Sequence, residues 1–172
     1  PFLGKTGASA LDAGVEAAEA LLGGGIATQF AAAQKPAQVS QAQWDDAKKQ
    51  AEVSSHQALG WVAMQRKDNS GAESEFKKTL GLNENLGQVS YWLGQVTLAQ
   101  ADPDKNTLAM YSFARAAVYE GPGALPAAGR GQVGDYISQL YRKFAGSDDG
   151  LDDLLATARE NALPPADFAE IK

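Results

Sequence analysis

One segment of this chain repeats itself at a spacing of 34 residues, and this repeat constrains the fold more than any other feature. The shift aligns three pairs of identical residues, which are Leu59 with Leu93, Gly60 with Gly94, and Val62 with Val96. A repeat of this length is typical of a supersecondary unit that cannot bury its apolar face alone. Such units are stable when neighbouring copies pack together.

The spacing lengthens in the second half of the repeat. Ala72 and Phe76 recur 37 residues later as Ala109 and Phe113, so the second copy holds three extra residues. We place these extra residues between positions 101 and 106, where Pro103 and its polar neighbours predict a turn. An insertion confined to a turn is what two related helix pairs tolerate best.

Apolar residues at helical spacing predict helices throughout the chain, and no useful length shows the alternation of a strand. A capping box at Ser40 and Gln43 predicts one long helix from Gln41 to Arg66, with a break near Ser54 as the alternative. The other predicted helices cover residues 9–22, 72–80, 87–100, 107–119, 127–144 and 151–158, with breaks at 23–25 and turns at 67–71 and 146–150. The predicted class is therefore all-α without significant strand.

We expect a single domain over residues 1–172. Within it, residues 1–39 form an N-terminal helix and a connector rich in Gly and Ala. Residues 40–123 form two helix pairs, and residues 124–172 form a degenerate third pair and a tail.

The spacing of small and aromatic residues resembles the tetratricopeptide repeat. The first copy has Ala58-Leu59-Gly60 followed by Ala72, Phe76 and Leu80, and the second has Tyr91-Trp92-Leu93-Gly94 followed by Ala109, Phe113 and Ala116. The chain departs from the family at the early Trp of the first helix, which is His56 or Ser90 here, and at the later Pro, which is Glu84 in the first copy. The resemblance implies antiparallel helix pairs stacked as a short right-handed α-solenoid.

The resemblance also implies a concave groove lined by the first helix of each pair. On that pattern the groove residues are Gln57, Trp61, Met64 and Gln65 from the first copy, and Gln88, Tyr91, Gln95 and Leu98 from the second. Aromatic and Met side chains interleaved with amides suit a protein or peptide segment. The alternative is that Trp61, Met64 and Leu98 pack against the N-terminal helices or a neighbouring repeat. Because the groove has no cluster of Lys or Arg, it is not expected to clamp a carboxylate tail.

The composition argues against several kinds of binding and catalytic site. A net charge of −6 argues against binding nucleic acid, which needs a basic face. The absence of Cys and the single His56 exclude thiolate and multi-histidine metal sites. His56 has no partner visible in the sequence that would orient it as a general base, and no apolar run approaches the ~20 residues of a membrane-spanning helix. We therefore expect no catalytic residue, cofactor, metal or transmembrane span.

These observations favour a non-enzymatic scaffold that holds a protein partner in an assembly, the partner being soluble or a membrane complex docked from the water side. One alternative is a structural subunit of a larger complex, or a homo-oligomer that packs through its repeat ends. A weaker alternative is a small-molecule or enzymatic pocket between the N-terminal helices and the repeats. Because the chain begins with Pro1, we expect a processed product and favour an exported, bacterial periplasmic location, with the cytoplasm left open.

Overall fold

A computed structural model describes residues 7–168, and no strand occurs in this range. The helices are α1 (Ala8–Ala20), α2 (Ile26–Gln29), α3 (Gln41–Gln65), α4 (Asn69–Leu82), α5 (Gly87–Leu98), α6 (Asn106–Val118), α7 (Ala127–Ala145) and α8 (Leu151–Glu160). The predicted all-α class is confirmed. The contacts divide the chain into two compact units, Pro1–Leu82 (unit 1) and Asn83–Lys172 (unit 2).

The first long helix begins at the predicted capping box. The Gln43 backbone N–H donates to Ser40 Oγ at 3.2 Å, and Gln43 Oε1 accepts from the Ser40 backbone N–H at 3.0 Å. From there α3 runs for 25 residues without the alternative break near Ser54. Within the helix, the Ser55 hydroxyl donates to the Ala51 carbonyl four residues earlier at 2.9 Å.

The repeated Leu-Gly pair has the same packing role in both units. A Cβ atom on Gly60 of α3 would lie 2.6 Å from ring carbons of Phe76 on α4, and one on Gly94 of α5 would lie 2.9 Å from ring carbons of Phe113 on α6. Each phenylalanine thus packs on the glycine of its own helix pair. Because a side chain at either position would overlap a buried ring, glycine is what allows the two helices to approach.

The extra residues of the second copy lie where the spacing predicts them. Lys67 follows α3 with a left-handed backbone (φ 62°), and Ala101, at the 34-residue shift, follows α5 in the same conformation (φ 53°). The next helices begin at Asn69 and Asn106, which are 37 residues apart. The added length is taken up by a 3₁₀ turn, Pro103–Lys105, outside the paired helices.

Two predicted breaks between helices have a different form in the structure. The predicted glycine break at residues 23–25 is a kink within a wide helical turn, Leu21–Gly25, where Gly24 adopts φ 138°. The predicted turn at 67–71 is shorter because α4 already begins at Asn69. Asp68 caps this helix by accepting the Gly71 backbone N–H at 2.9 Å.

The paired helices α3 and α4 of unit 1 differ in length: α3 has 25 residues and α4 has 14. Every residue from Gln41 to Gln50 is exposed except Trp44, which is partly buried. The Trp44 indole packs against Phe30 with ring centroids 4.9 Å apart, and its N–H donates to the Phe30 carbonyl at 3.1 Å. We call residues 41–50 the exposed half of α3.

Unit 2 is built around α6, which packs against α5, α7 and α8. Arg115 of α6 is 3% exposed and donates to the carbonyls of Ala158, Arg159 and Glu84 at 3.1, 2.5 and 3.2 Å. Burial lowers the pKa of this guanidinium, although nearby Tyr119 and Tyr111 oppose the shift. The Arg115 side chain therefore satisfies carbonyls at the end of α8 and fixes that helix to the core.

Candidate binding cleft

The eight predicted groove residues divide equally between the two units. In unit 1, Gln57 and Met64 are partly buried and Gln65 is exposed. Trp61 is only 8% exposed, so most of its indole is covered rather than presented to solvent. A covered indole agrees with the alternative that Trp61 packs against neighbouring helices, rather than with a free groove surface.

In unit 2, three of the four predicted residues lie together in one cleft. Tyr91, Gln95 and Leu98 of α5 form one wall, whereas Gln88, one turn earlier, is exposed and does not line it. The cleft has a volume of about 490 Å³ and lies against α6 and α7. The described residues that line it are Tyr91, Gln95, Leu98, Phe113, Gln132, Val133 and Tyr136. This volume is within the ~300–1,000 Å³ of ordinary ligand sites.

Three aromatic rings form the frame of the cleft. Phe113 lies between the two tyrosines, with ring centroids 5.7 Å from Tyr91 and 5.1 Å from Tyr136. The interplanar angles are 68° and 80°, which is the edge-to-face arrangement that aromatic pairs favour. Phe113 is 2% exposed because its ring is held against Gly94, whereas Tyr136 is 41% exposed. The cleft thus has a fixed aromatic base and an accessible aromatic edge.

The polar groups of the cleft are uncharged. Gln95 Nε2 donates to the Tyr91 hydroxyl at 3.3 Å, which orients both side chains on α5. Burial raises the pKa of Tyr136 above the ordinary tyrosine value, and the nearby Tyr91 adds to this shift. The Tyr136 phenol, with a pKa above the ordinary tyrosine value, is therefore neutral at physiological pH. The described lining can therefore offer apolar surface, amide groups and hydroxyls, and none of its seven residues carries a counter-charge.

The sequence prediction missed the wall contributed by α7. Gln132, Val133 and Tyr136 belong to the degenerate third pair, where the resemblance to the repeat is weakest. One signal was present, because Tyr136 follows the core residue Val133 by three positions and must lie at the edge of the same apolar face. An exposed aromatic residue at that edge is the pattern that would have indicated a binding wall.

Unit 1 contains a separate polar cluster around the only histidine. His56 Nδ1 lies 2.7 Å from Glu75 Oε2, and Lys78 Nζ donates to Glu75 Oε1 at 2.6 Å. Burial opposes ionisation of Glu75, but the hydrogen bonds from Lys78 and His56 prevail and hold its pKa below the ordinary value. An ionised carboxylate only accepts, so His56 Nδ1 donates in this pair. Glu75 is thus the partner of His56 that the sequence did not reveal.

Two cavities lined by described residues adjoin this cluster. A cavity of about 310 Å³ adjoins α1, α3 and α4 and includes Glu19 and Glu75. A smaller one of about 250 Å³ includes His56 with Lys48 and Glu52. Glu75 is held ionised by cationic and imidazole partners, which is the opposite of the raised pKa expected of a general acid.

Over residues 7–168, no group of three or more His, Cys, Asp or Glu side chains is placed to hold a metal ion. In the same range, no helix is both long enough and apolar enough to cross a bilayer. The chain matches no protein-family model, no curated protein and no solved structure. The resemblance to tetratricopeptide repeats therefore depends on the residues of this chain alone.

Proposed function

We propose that this chain is a non-enzymatic interaction module built from tetratricopeptide-like helix pairs, and that the cleft of unit 2 holds a segment of a partner protein. The observation that carries the proposal is the convergence of Tyr91, Gln95 and Leu98 with the accessible Tyr136 over a fixed Phe113. Rigid aromatic residues beside amides are the composition of protein-binding surfaces.

The repeat-like character is supported by packing inside each unit. Gly60 with Phe76 and Gly94 with Phe113 make the same close approach, and both first helices end in a left-handed residue at the 34-residue shift. On this proposal the helix pairs serve as a rigid support, and the partner is either soluble or part of a membrane complex reached from the aqueous side.

The test places a photo-reactive phenylalanine analogue at position 136 of the full chain expressed in its native source. The matched control carries the analogue at Phe144, which is on the same helix and similarly exposed, at 39% against 41% for Tyr136. A partner crosslinked from position 136 and not from position 144 is the expected result. That crosslink should disappear when Gln95→Ala and Leu98→Ala are added on the opposite wall. A crosslink that survives loss of the opposite wall would refute the assignment of the cleft.

Self-assembly is a second candidate, because two large aromatic side chains of α7, Tyr136 and Phe144, are exposed. Exposed apolar surface is typical of contact sites. Light scattering on the purified chain separates the two functions. A dimer that dissociates in Phe144→Ala but persists in Tyr136→Ala would support self-assembly, whereas a monomer at high concentration would exclude it.

A further inference from the structure

We infer that the occupant of the cleft is an extended segment of a partner protein, with one bulky uncharged side chain anchored beside Tyr136 and basic residues flanking the anchor outside the cleft. This inference rests on the proposed function, since it describes the partner that the same cleft would hold.

The anchor must be uncharged because of what lines the cleft. None of the seven described lining residues carries a formal charge at neutral pH. A Lys, Arg, Asp or Glu side chain inserted over Phe113 would lose water without gaining an opposite charge, which is strongly unfavourable. A bulky aliphatic or aromatic side chain gains from the same environment, because it buries apolar surface against Leu98 and Val133.

The backbone of the segment must be free to form hydrogen bonds. Gln95 stands on α5 and Gln132 on α7, so the cleft carries one amide side chain on each wall, and both are exposed. Each amide can donate to a peptide carbonyl and accept from a peptide N–H. A helical segment has already used these backbone groups internally, whereas an extended segment presents them. An amide on each wall therefore favours an extended segment.

The flanking charges follow from the distribution of charge along the chain. Asn83–Lys172 contains twelve acidic and seven basic residues, so unit 2 carries a net charge of −5 of the total of −6. The net negative charge of unit 2 attracts a basic segment and speeds its association. The uncharged lining of the cleft keeps the Lys or Arg side chains of that segment out of the anchor position. The expected motif is thus an apolar residue with Lys or Arg on either side.

Selection from a random peptide library displayed on phage tests the inference with the full chain as the target. The wild-type chain, Tyr136→Ala and the matched control Phe144→Ala are used in parallel, and circular dichroism checks that all three are folded. We expect enriched peptides that share a bulky apolar residue flanked by basic residues. Their affinity should fall at least about tenfold in Tyr136→Ala, which is the scale of an aromatic contact residue. In Phe144→Ala it should be unchanged.

A salt series on the enriched peptides separates the two kinds of contact. The association rate should fall as ionic strength rises, because the flanking charges act at long range, while the dissociation rate should change little.

Three outcomes would overturn the inference or the function, and they can be told apart. The inference is refuted if the Tyr136-dependent peptides share a charged anchor residue, or if circular dichroism shows that they bind as helices. Either result leaves the proposed function standing. Enrichment that Tyr136→Ala does not affect, or no enrichment at all, counts against both. A dimer of the wild-type chain that Tyr136→Ala dissociates would show that a second copy occupies the cleft, and would also refute the partner segment.

Discussion

A methyl group added at Gly94 probes the contact that fixes the base of the cleft. In Gly94→Ala the new Cβ would lie 2.9 Å from Phe113 Cδ1 and Cγ and 3.0 Å from Cδ2. The ring cannot easily retreat, because it is 2% exposed and in contact with Tyr91 and Tyr136. Overpacking of this kind lowers the free energy of unfolding by about 1–3 kcal/mol. Replacing Gly by Ala within a helix raises it by about 1 kcal/mol. We expect a net loss of about 1 kcal/mol.

Gly131 supplies the matched control in the same unit. It is exposed in α7, and a Cβ there would meet no atom within 4 Å. Gly131→Ala should therefore gain the full helix-propensity effect of about 1 kcal/mol without a clash. The two variants should differ by about 1–3 kcal/mol, since only the packing term separates them.

The measurement is denaturant unfolding of the full chain followed by far-ultraviolet circular dichroism. The midpoints report stability when the slope of the unfolding free energy against denaturant concentration is the same in each variant, so they are compared on that condition. If Gly94→Ala is stabilised as much as Gly131→Ala, then Phe113 does not press on α5, and the account of the Leu-Gly pair is wrong.

Three further predictions concern other contacts. Lys67→Gly should raise the free energy of unfolding by about 1 kcal/mol, because Lys67 adopts a left-handed backbone that glycine adopts without strain. A melting temperature no higher than that of the wild type would contradict this. Arg115→Met should lower that free energy by about 3 kcal/mol, since buried carbonyls lose a charged donor. The control Arg142→Met removes an exposed ion pair and should change the free energy of unfolding by less than about 1 kcal/mol. If urea titrations give the same loss for both variants, the role of Arg115 is refuted. Because the pKa of Glu75 is lowered in the folded chain, its stabilising contribution is present near neutral pH and is lost as the pH falls through the acid range. Wild type should therefore lose more stability than Glu75→Gln between neutral and acid pH, and parallel curves would show that the carboxylate contributes nothing.

Local sequence signals predicted the helices well. Ser40 and Gln43 form a capping box from neighbouring residues, so both the start of α3 and its contacts could be read directly from the sequence. The change of spacing from 34 to 37 residues located the extra turn, because an insertion shifts every later residue of the copy equally. Boundaries were less predictable where a side chain such as Asp68 starts the next helix early.

Contacts between helices distant in the sequence were not predictable in the same way. Tyr136 reaches the cleft through the packing of α7 on α6. The sequence places Tyr136 at the edge of the apolar face of α7, but it does not specify the helix on which that face packs. His56 and Glu75 are 19 residues apart on different helices, so their pairing depends on the rotation of α3 against α4. The apolar pattern gives the buried face of a helix but not its neighbour. For Trp61 the pattern left open both a groove position and packing against neighbouring helices, and in the structure the indole is largely covered.

The unequal lengths of α3 and α4 have a consequence for the dynamics of unit 1. At 1.5 Å per residue, α3 is roughly 37 Å long and α4 roughly 21 Å, so roughly 16 Å of α3 extends beyond the reach of its partner. That length corresponds to the exposed half of α3, where Trp44 is the one partly buried residue and Ser40 caps the start of the helix. Isolated helices this short are marginal in water. Residues 41–50 should therefore open as a local unit while the remainder of α3 stays folded, and their amide hydrogens should exchange with solvent well before those near Gly60.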